Sequence, residues 1–596
     1  MTELKSVSTM VPKPFRARRF SIIAAASIVV CAGSAFGADR GLVGYWPLAG
    51  DCRDHSGRGN DGTNYNVDLR TSEFNGTDSY IEIPDSSSLQ LEKGDFSIIA
   101  EIYTQDVVDD VLGDVLSKFD GARRRGFNLA FTSNTSGYNS QSYSRLLSFG
   151  LDDDTTGRWM DCGRPGGKSH CSDALTVFEG HLYVGTVDAP EEADWAHVYR
   201  YEGGQNWEDC GRVGVGRTRG VYAMVVHDGA LYAATAGPHG GPDVNRGDYG
   251  RVYRYRGGQQ WDDIGQPGAH YRINSLASFQ GKLYALSINT GGSDGGVYVF
   301  EGGREWKQCG DFGRPHTSGV HNGRLYAAYP QGEVFAYDGN SWDKLGNPLS
   351  SIDECNQIHS QGVFGGELYF GTWPRGKVAK RRGNEWRDMG RLGDATEVVG
   401  LSVYNGSLYA GTIPRAELFR FDGPHKWTSI RRLFDPANFD AAKDVEDWTR
   451  ASSLTVYDGS LFVSTATCYR AMIDPPRSDE VRGKVFSFTT GANASLDRDL
   501  GPGWKHVAAV RERGTLKLHI DGQLAVSNAC EADQLDVSNE SPLRIGFGPQ
   551  SHFRGKIREV RLYDRALNGD EIQQLQHGTR TSSVSTSLRR PSETLP

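Results

Sequence analysis

The stretches that decide the fold are EGHLY (179–183), DGALY (228–232), QGKLY (280–284), NGRLY (322–326), GGELY (365–369), NGSLY (405–409) and DGSLF (458–462). Each places a two-residue turn in front of a strand that opens with Leu and an aromatic. A companion pattern, W-x-x-x-G, recurs at Trp159, Trp207, Trp261, Trp306, Trp342 and Trp386, with Trp427 as a copy that lacks the Gly. In the copy from 173 to 211, DALTVF runs to the Glu179-Gly180 turn and HLYVGTV returns. HVYRY then goes out again, and QNWEDCG comes back after Gly203-Gly204. These are four antiparallel strands joined by hairpins of the D-G, N-G and G-G kind.

A period of about 36–54 residues with four strands per copy is the signature of a β-propeller. Leu and Trp recur because each copy must bury its face against the next. The last copy supplies only SSLTVYDG, SLFVSTA and GKVFSF, and lacks its Trp strand. GRWMDCG (157–163), ahead of the first full copy, fills that vacancy and predicts a ring of seven blades over 157–490. The repeat resembles kelch-like and sialidase-like propellers in general form. The Ser that opens an Asp box is missing from Glu202-Gly203-Gly204-Gln205-Asn206-Trp207.

The 596 residues allow two or three domains, and Gly at 75 with aromatics at 11% suits short strands and tight turns. A net charge of −9 without a long basic stripe gives no sign of nucleic-acid binding, and no such partner is expected. Residues 1–37 read as a secretory signal: RARR (16–19), an apolar run from Phe20 to about Ala32, and Ala35-Phe36-Gly37 before the cut. The rival is an uncleaved anchor, for which the run is short; nothing else is apolar enough to span a bilayer. Removal of that segment moves the net charge from −9 to about −13. It leaves Cys52, Cys162, Cys171, Cys210, Cys309, Cys355, Cys468 and Cys530, an even set that permits disulfides in an exported chain. Cys162, Cys210 and Cys309 share one slot of the repeat, which also suits small buried strand residues. From about His577 to 596 the chain is rich in Ser, Thr and Arg, and disorder is expected.

The flanks carry a second architecture. GLVGYWPLAGDCRDHSGRGNDG (41–62), FNGTDSYIEIPDSSSLQL (74–91) and FSIIAEIYT (96–104) precede the repeats. GWKHVAAVRERGTLKLHIDGQLAV (503–526), LRIGFG (543–548) and FRGKIREVRLYDRALNGDEI (553–572) follow them. Together they resemble the laminin-G-like, concanavalin A-like jellyroll family. The resemblance implies one β-sandwich in two parts, 41–152 and 503–575, with the propeller inserted between them. The fold class is therefore all-β, a jellyroll β-sandwich split by a seven-bladed β-propeller. Insertion is tolerated where a loop is exposed and the ends of the insert lie close together. Pentraxin-type relatives bind calcium near the segment that here reads GFGPQSHF (546–553), which has no carboxylate, and Ile557-Arg558-Glu559 replaces their usual Ile-Asp-Glu. A second acidic loop, Asp51, Asp54, Asn60 and Asp61, has oxygen ligands at calcium-loop spacing; the alternative is a polar rim loop with Asx turns.

The paired-carboxylate string of jellyroll glucanases, a G-x-S-x-G, an H-E-x-x-H and a P-loop are all absent from the sequence. The connections after the second and fourth strands hold every long insertion (187–197, 236–250, 346–358, 430–450 and 467–483) and lie on one face. Counting eight residues back from each first turn residue gives Cys171, Gly220, Arg272, Arg314, Gln357, Glu397 and Arg450, with His170 and Arg219 one position earlier. T-W-P-R (372–375) and T-I-P-R (412–415) add Arg375 and Arg415. The expected ligand-binding set is Arg219, Arg272, Arg314, Arg375, Arg415, Arg450 and His359, with His316 and Tyr271 as further exposed candidates. Guanidinium forks at one mouth suit carboxylate or sulfate; the bland alternative pairs each Arg with an acid such as Glu354, Asp394, Glu397 or Asp447.

The expected function is a secreted, cell-surface or periplasmic, non-catalytic carbohydrate-binding or adhesion protein. Its partner is a glycan or extracellular polysaccharide, anionic in character, or a cell-surface protein. The alternatives are an extracellular glycan-active hydrolase or lyase with a catalytic propeller, and a purely structural surface protein.

Overall fold

The computed structural model describes residues 40–108, 110–135, 141–167, 169–187, 195–216, 218–237, 249–289, 294–329, 332–348, 356–433, 449–466 and 483–587. Residues 1–37, where a secretory signal is expected, Cys355, Cys468, Glu354, Asp447 and most of the long insertions lie outside those residues.

Among the described residues the repeat forms seven four-stranded antiparallel units. Their first strands are Cys171–Phe178, Gly220–His227, Arg272–Phe279, Thr317–His321, Gln357–Phe364, Glu397–Tyr404 and Arg450–Tyr457. At all seven first hairpins both turn residues have positive φ, as in Glu179 at 49° and Gly180 at 85°, or Asn405 at 42° and Gly406 at 76°. That is a type I′ turn, whose twist matches that of its strands and whose second position Gly fills without strain.

Each unit's first strand touches those of its two neighbours, and the seventh returns to the first. The seventh unit takes its outer strand from the start of the repeat region: Arg158–Asp161 pairs with Val485–Thr489, Trp159 opposite Phe488. The recurrent Trp works as a latch between units. Its Nε1 donates to a backbone carbonyl of the preceding unit: Trp207 to Cys162, Trp261 to Cys210, Trp306 to Ile264, Trp342 to Cys309 and Trp427 to Met389, at 2.8–3.0 Å.

That latch explains the cysteine slot. Cys162, Cys210 and Cys309 are strand residues whose carbonyls receive the indole, and Cys162 and Cys210 are buried. The expected disulfides are a correction: none joins two of the six described cysteines, and Cys52 instead donates its thiol to the Gly62 carbonyl at 3.0 Å.

The flanking segments form one sandwich of two sheets. The first runs in the order Leu42–Trp46, Arg554–Tyr563, Phe96–Thr104, Gly503–Glu512, Thr515–Ile520 and Gln523–Ala529, with Glu73–Asn75 on the far part of Arg554–Tyr563. The second is Thr63–Tyr65, Tyr80–Ile83, Leu543–Ile545, Asp114–Asp120, Arg125–Thr135, Gln141–Asp153 and Ala492–Ser495. The later part of the sandwich thus starts before 503. One core joins both segments: Trp46, Phe96, Phe127 and Phe149 pack with Val507, Leu518, Leu543 and Ile557. Neither segment can bury its apolar face alone.

The sandwich holds the short-turn face of the ring. Gly180 N donates to the Asp497 carbonyl (2.8 Å), Gly323 N to Asp110 Oδ2 (2.7 Å) and Gly365 N to the Pro549 carbonyl (2.7 Å). The hairpin of Arg125–Thr135 and Gln141–Asp153 reaches the ring's axis, touching the first strands of six units, and Thr135 pairs with Leu454. A strand pair of the sandwich therefore stops the central channel from one side.

The disorder expected from His577 is corrected in part. A helix, Gly569–Ser587, continues through 577–587, while 588–596 lie outside the described residues. Its start is set by a reciprocal cap. Glu571 N donates to Asn568 Oδ1 (3.0 Å), Asn568 N to Glu571 Oε2 (2.9 Å), and Arg565 holds the same carboxylate at 2.7 Å.

Candidate functional site

The residues that open the innermost strands are those found by counting back from the turns. Cys171, Gly220, Arg272, Gln357, Glu397 and Arg450 are each the first residue of a first strand, and Arg314 stands just before Thr317–His321. Backbone bonds to the returning strand lock the entry, such as Arg219 N to the Ala236 carbonyl (2.8 Å) and His316 N to that of Ala328 (2.8 Å).

A second tier lies two residues further on, at Asp173, Tyr222, Asn274, His316, His359, Val399 and Ser452. In six of the seven first strands the register slips at this position, so that one extra residue bulges from the ladder. A bulge bends the strand and re-aims the side chain it carries.

The two tiers join into a belt around the axis. Ser452 Oγ donates to Asp173 Oδ1 at 2.7 Å across the closing seam. The Arg272 guanidinium lies 4.0 Å from the centroid of Tyr222, a cation–π contact between the second and third units. Asn274 Nδ2 donates to the Pro315 carbonyl at 3.2 Å. His316 and His359 meet edge to face with centroids 5.0 Å apart. His359 then places Nδ1 2.7 Å from Glu397 Oε1 and Nε2 2.9 Å from Gln357 Oε1.

The electrostatics follow from this crowding. Burial, together with His359, Arg314 and Arg272 nearby, drives His316 far below the usual histidine range and keeps it neutral at pH 7. Burial works against ionisation of Glu397, yet His359 and Arg450 hold its carboxyl below the usual glutamate range. Burial pushes the Tyr222 phenol up against the pull of Arg272 and Arg219. Among the described residues, four guanidinium groups thus gather around an axis that also carries the carboxylates of Glu397 and Asp173.

Of the expected ligand set, the structure brings together Arg219, Arg272, Arg314, Arg450 and His359. Arg272 and Arg314 are half-buried, whereas Arg219 and Arg450 are buried. The expectation that His316, His359 and Tyr271 are exposed is corrected, since they retain 8%, 6% and 3% of their surface. Arg375 and Arg415 sit on the connections after Glu367–Trp373 and Ser407–Ile413. Arg415 Nη1 pairs with Asp394 Oδ2 at 2.7 Å, the acid-pairing alternative. Tyr222 and Asp173 were missed; counting six residues back from each turn, rather than eight, picks them out.

The acidic loop is organised by its own backbone. Asp54 Oδ1 accepts from Tyr45 N and Ser56 N, and Oδ2 from Ser56 Oγ and Asn60 N, at 2.8–3.0 Å. Asp61 Oδ1 accepts from Asp54 N (2.9 Å), Asp51 Oδ1 from Arg53 N (3.1 Å), and Asn60 Oδ1 from Ser86 Oγ (2.7 Å). The bonds from Arg53 N to Asp51 and from Ser56 N to Asp54 are Asx turns, and the others tie the loop to neighbouring backbone and side chains. Among the described residues no group of three or more His, Cys, Asp or Glu side chains is placed to hold a metal.

Residues 445–573 match the family model described as the Concanavalin A-like lectin/glucanases superfamily. No curated protein matches the chain. Among solved structures it is similar to the WD40 β-propeller domain of Doa1, at 11% identity and a TM-score of 0.37, over 56% of this chain and 97% of that one. It is also similar to the extracellular domain of a two-component system from B. thetaiotaomicron, at 11% identity and 0.37, over 61% of this chain and 52% of that one. For YCF48 from Cyanidioschyzon merolae the values are 13% and 0.32, over 56% and 99%. The strand pairings and the family match together define an all-β protein that combines a concanavalin A-like sandwich with propeller-like four-stranded units.

Proposed function

We propose that this chain is a secreted or cell-surface carbohydrate-binding or adhesion protein without catalytic activity. In this reading the four-stranded units form one seven-bladed propeller inserted into a lectin-like sandwich, and the ring's open mouth takes an anionic glycan. The observation that carries it is the convergence of Arg219, Arg272, Arg314 and Arg450 on one axis of a protein whose net charge is −9. Guanidinium forks match carboxylate and sulfate geometry, and a concave site concentrates their field. Arg272 and Arg314, the half-buried members, are the groups an incoming anion meets first.

The test is an array of sulfated, uronate-containing and neutral glycans probed with residues 38–596, beside a chain carrying Arg314→Ala and Arg450→Ala. Retention of acidic glycans, weakened about tenfold or more in the double variant, is expected, which corresponds to about 1.4 kcal/mol. Equal binding by both proteins refutes the assignment. The buried His359–Glu397 pair favours a second reading, because a histidine oriented by a carboxylate is the usual form of an acid–base catalyst. Cleaved products from bound spots would establish that reading instead.

A further inference from the structure

A separate cleft lies where the sandwich meets the fourth and fifth units of the ring. It measures about 680 Å³, within the roughly 300–1,000 Å³ of small-molecule sites. One wall belongs to the sandwich, with Thr77, Asp78, Phe547 and His552; the other belongs to the ring, with Asn322, Tyr326, Glu367, Arg381 and Arg382. Neither half of the chain makes this cleft alone.

Three features give it the chemistry of a sugar site. The first is a run of aromatic rings at the sandwich edge. Phe547 and His552 stack in parallel at 4.1 Å and 12°, Tyr80 abuts both, and Tyr65 lies flat on Tyr80 at 4.5 Å. The second is Arg381. This half-buried side chain donates from Nε to the Gly383 carbonyl (2.8 Å) and from Nη2 to Asn384 Oδ1 (3.4 Å), and its guanidinium lies 5.3 Å from the Trp386 ring centroid, which fixes the fork in the cleft wall. The third is rigidity. His321 Nε2 lies 3.1 Å from the Gly366 carbonyl, joining the fourth and fifth units, and Gly365 N donates to the Pro549 carbonyl at 2.7 Å, joining the ring to the sandwich.

We infer that this cleft binds a short saccharide, one ring lying against Phe547 and a hydroxyl or carboxylate oxygen accepting from Arg381. Flat C–H faces pair with aromatic rings, and the polar edge of a sugar suits the mixed donors and acceptors of Asp78, Asn322, Glu367 and Arg382. The acids are already matched, since Asn75 Nδ2 holds Asp78 at 2.7 Å and Lys380 Nζ holds Glu367 at 2.5 Å. Arg381, held by the Gly383 carbonyl and the Asn384 amide rather than by an acid, is therefore the cation offered to the ligand. The site is distinct from the channel mouth and stands whether or not that mouth binds glycans.

The experiment is saturation-transfer NMR on the whole chain with cellohexaose, xylohexaose, chitohexaose and hexagalacturonate as probes. Arg381→Ala and Phe547→Ala are compared with Thr77→Trp, which fills the opening from an exposed loop position and leaves the core untouched. At least one probe is expected to bind. Affinity should fall about tenfold in all three variants and stay within twofold in the Arg314→Ala, Arg450→Ala protein. Absence of binding by every probe overturns the inference. So does binding that Thr77→Trp leaves unchanged, or that only the channel variant removes.

Discussion

Replacing Trp261 by Phe tests the seam between the first two units. Its indole N–H donates to the Cys210 carbonyl at 2.9 Å, in a strand where Cys210 retains 2% of its surface. Phe keeps an aromatic ring beside Tyr255, whose centroid stands 4.8 Å from that of Trp261, but it has no donor. The net loss of the bond is about 0.5–1.5 kcal/mol, and the abandoned carbonyl, which water does not reach, adds about 1–3 kcal/mol. A destabilisation of about 2–3 kcal/mol is expected. It is read from guanidinium unfolding, with hydrogen exchange on Trp207–Arg212 to locate it. Trp427→Phe breaks the equivalent bond to Met389 in a seam across the ring, and the two losses should add within about 0.5 kcal/mol. A change below about 0.5 kcal/mol, or faster exchange spread evenly over the sandwich, refutes the latch.

The share of stability that Asp114 contributes should fall as pH rises from about 4 to 7, against the opposite trend of buried histidines such as His321, which burial pushes down to about 4. Burial pushes Asp114 up to about 7 against the bonds from Ser551 N and Gln550 N, and lifts Asp497 to about 7 and Asp152 to about 6. A carboxyl whose folded pKa exceeds its unfolded one binds its proton more tightly when folded. Its contribution is therefore complete below the unfolded value and lost through the folded one, on the order of 4 kcal/mol for Asp114. The gap in melting temperature between the natural chain and Asp114→Asn should narrow as pH rises across that window, and a gap that does not change with pH excludes a titrating Asp114. His359→Ala should cost about 3–5 kcal/mol because Glu397 is left buried without its partner, whereas adding Glu397→Gln should restore part of that loss in the same unfolding assay.

The repeat was legible because its turns are chemical necessities. Paired positive φ favours Gly at the second position, so Gly stands there in every first hairpin, after Asp, Asn or Gly in five of the seven, and fixed strand lengths carry the count inward to Arg272, Glu397 and Arg450. The bulges were not legible. One extra residue leaves no compositional trace, so Tyr222 and Asp173 looked like ordinary strand positions and His359 looked exposed. Ala492–Ser495 was passed over because four small residues have no strand pattern of their own; their place comes from pairing with Gln141–Asp153. The helix through 577–587 was hidden by its Ser and Thr content, while the Asn568–Glu571 cap that starts it stands just upstream.

The strand order of the sandwich has a consequence in time. Phe96–Thr104 lies between Arg554–Tyr563 and Gly503–Glu512, both of which follow the whole repeat region in the chain. During synthesis both edges of that strand stay unpaired until the ring residues have been made. Its run FSIIAEIYT, nearly all buried in the finished fold, is for that interval a sticky segment. The first six units have no such wait, because each pairs within itself, and only the seventh needs the early strand Arg158–Asp161. The sandwich is therefore the late and vulnerable step of biogenesis. Pulse-labelled chains truncated after Thr490 should hold a protease-resistant ring and a protease-sensitive first segment, and they should aggregate through that segment.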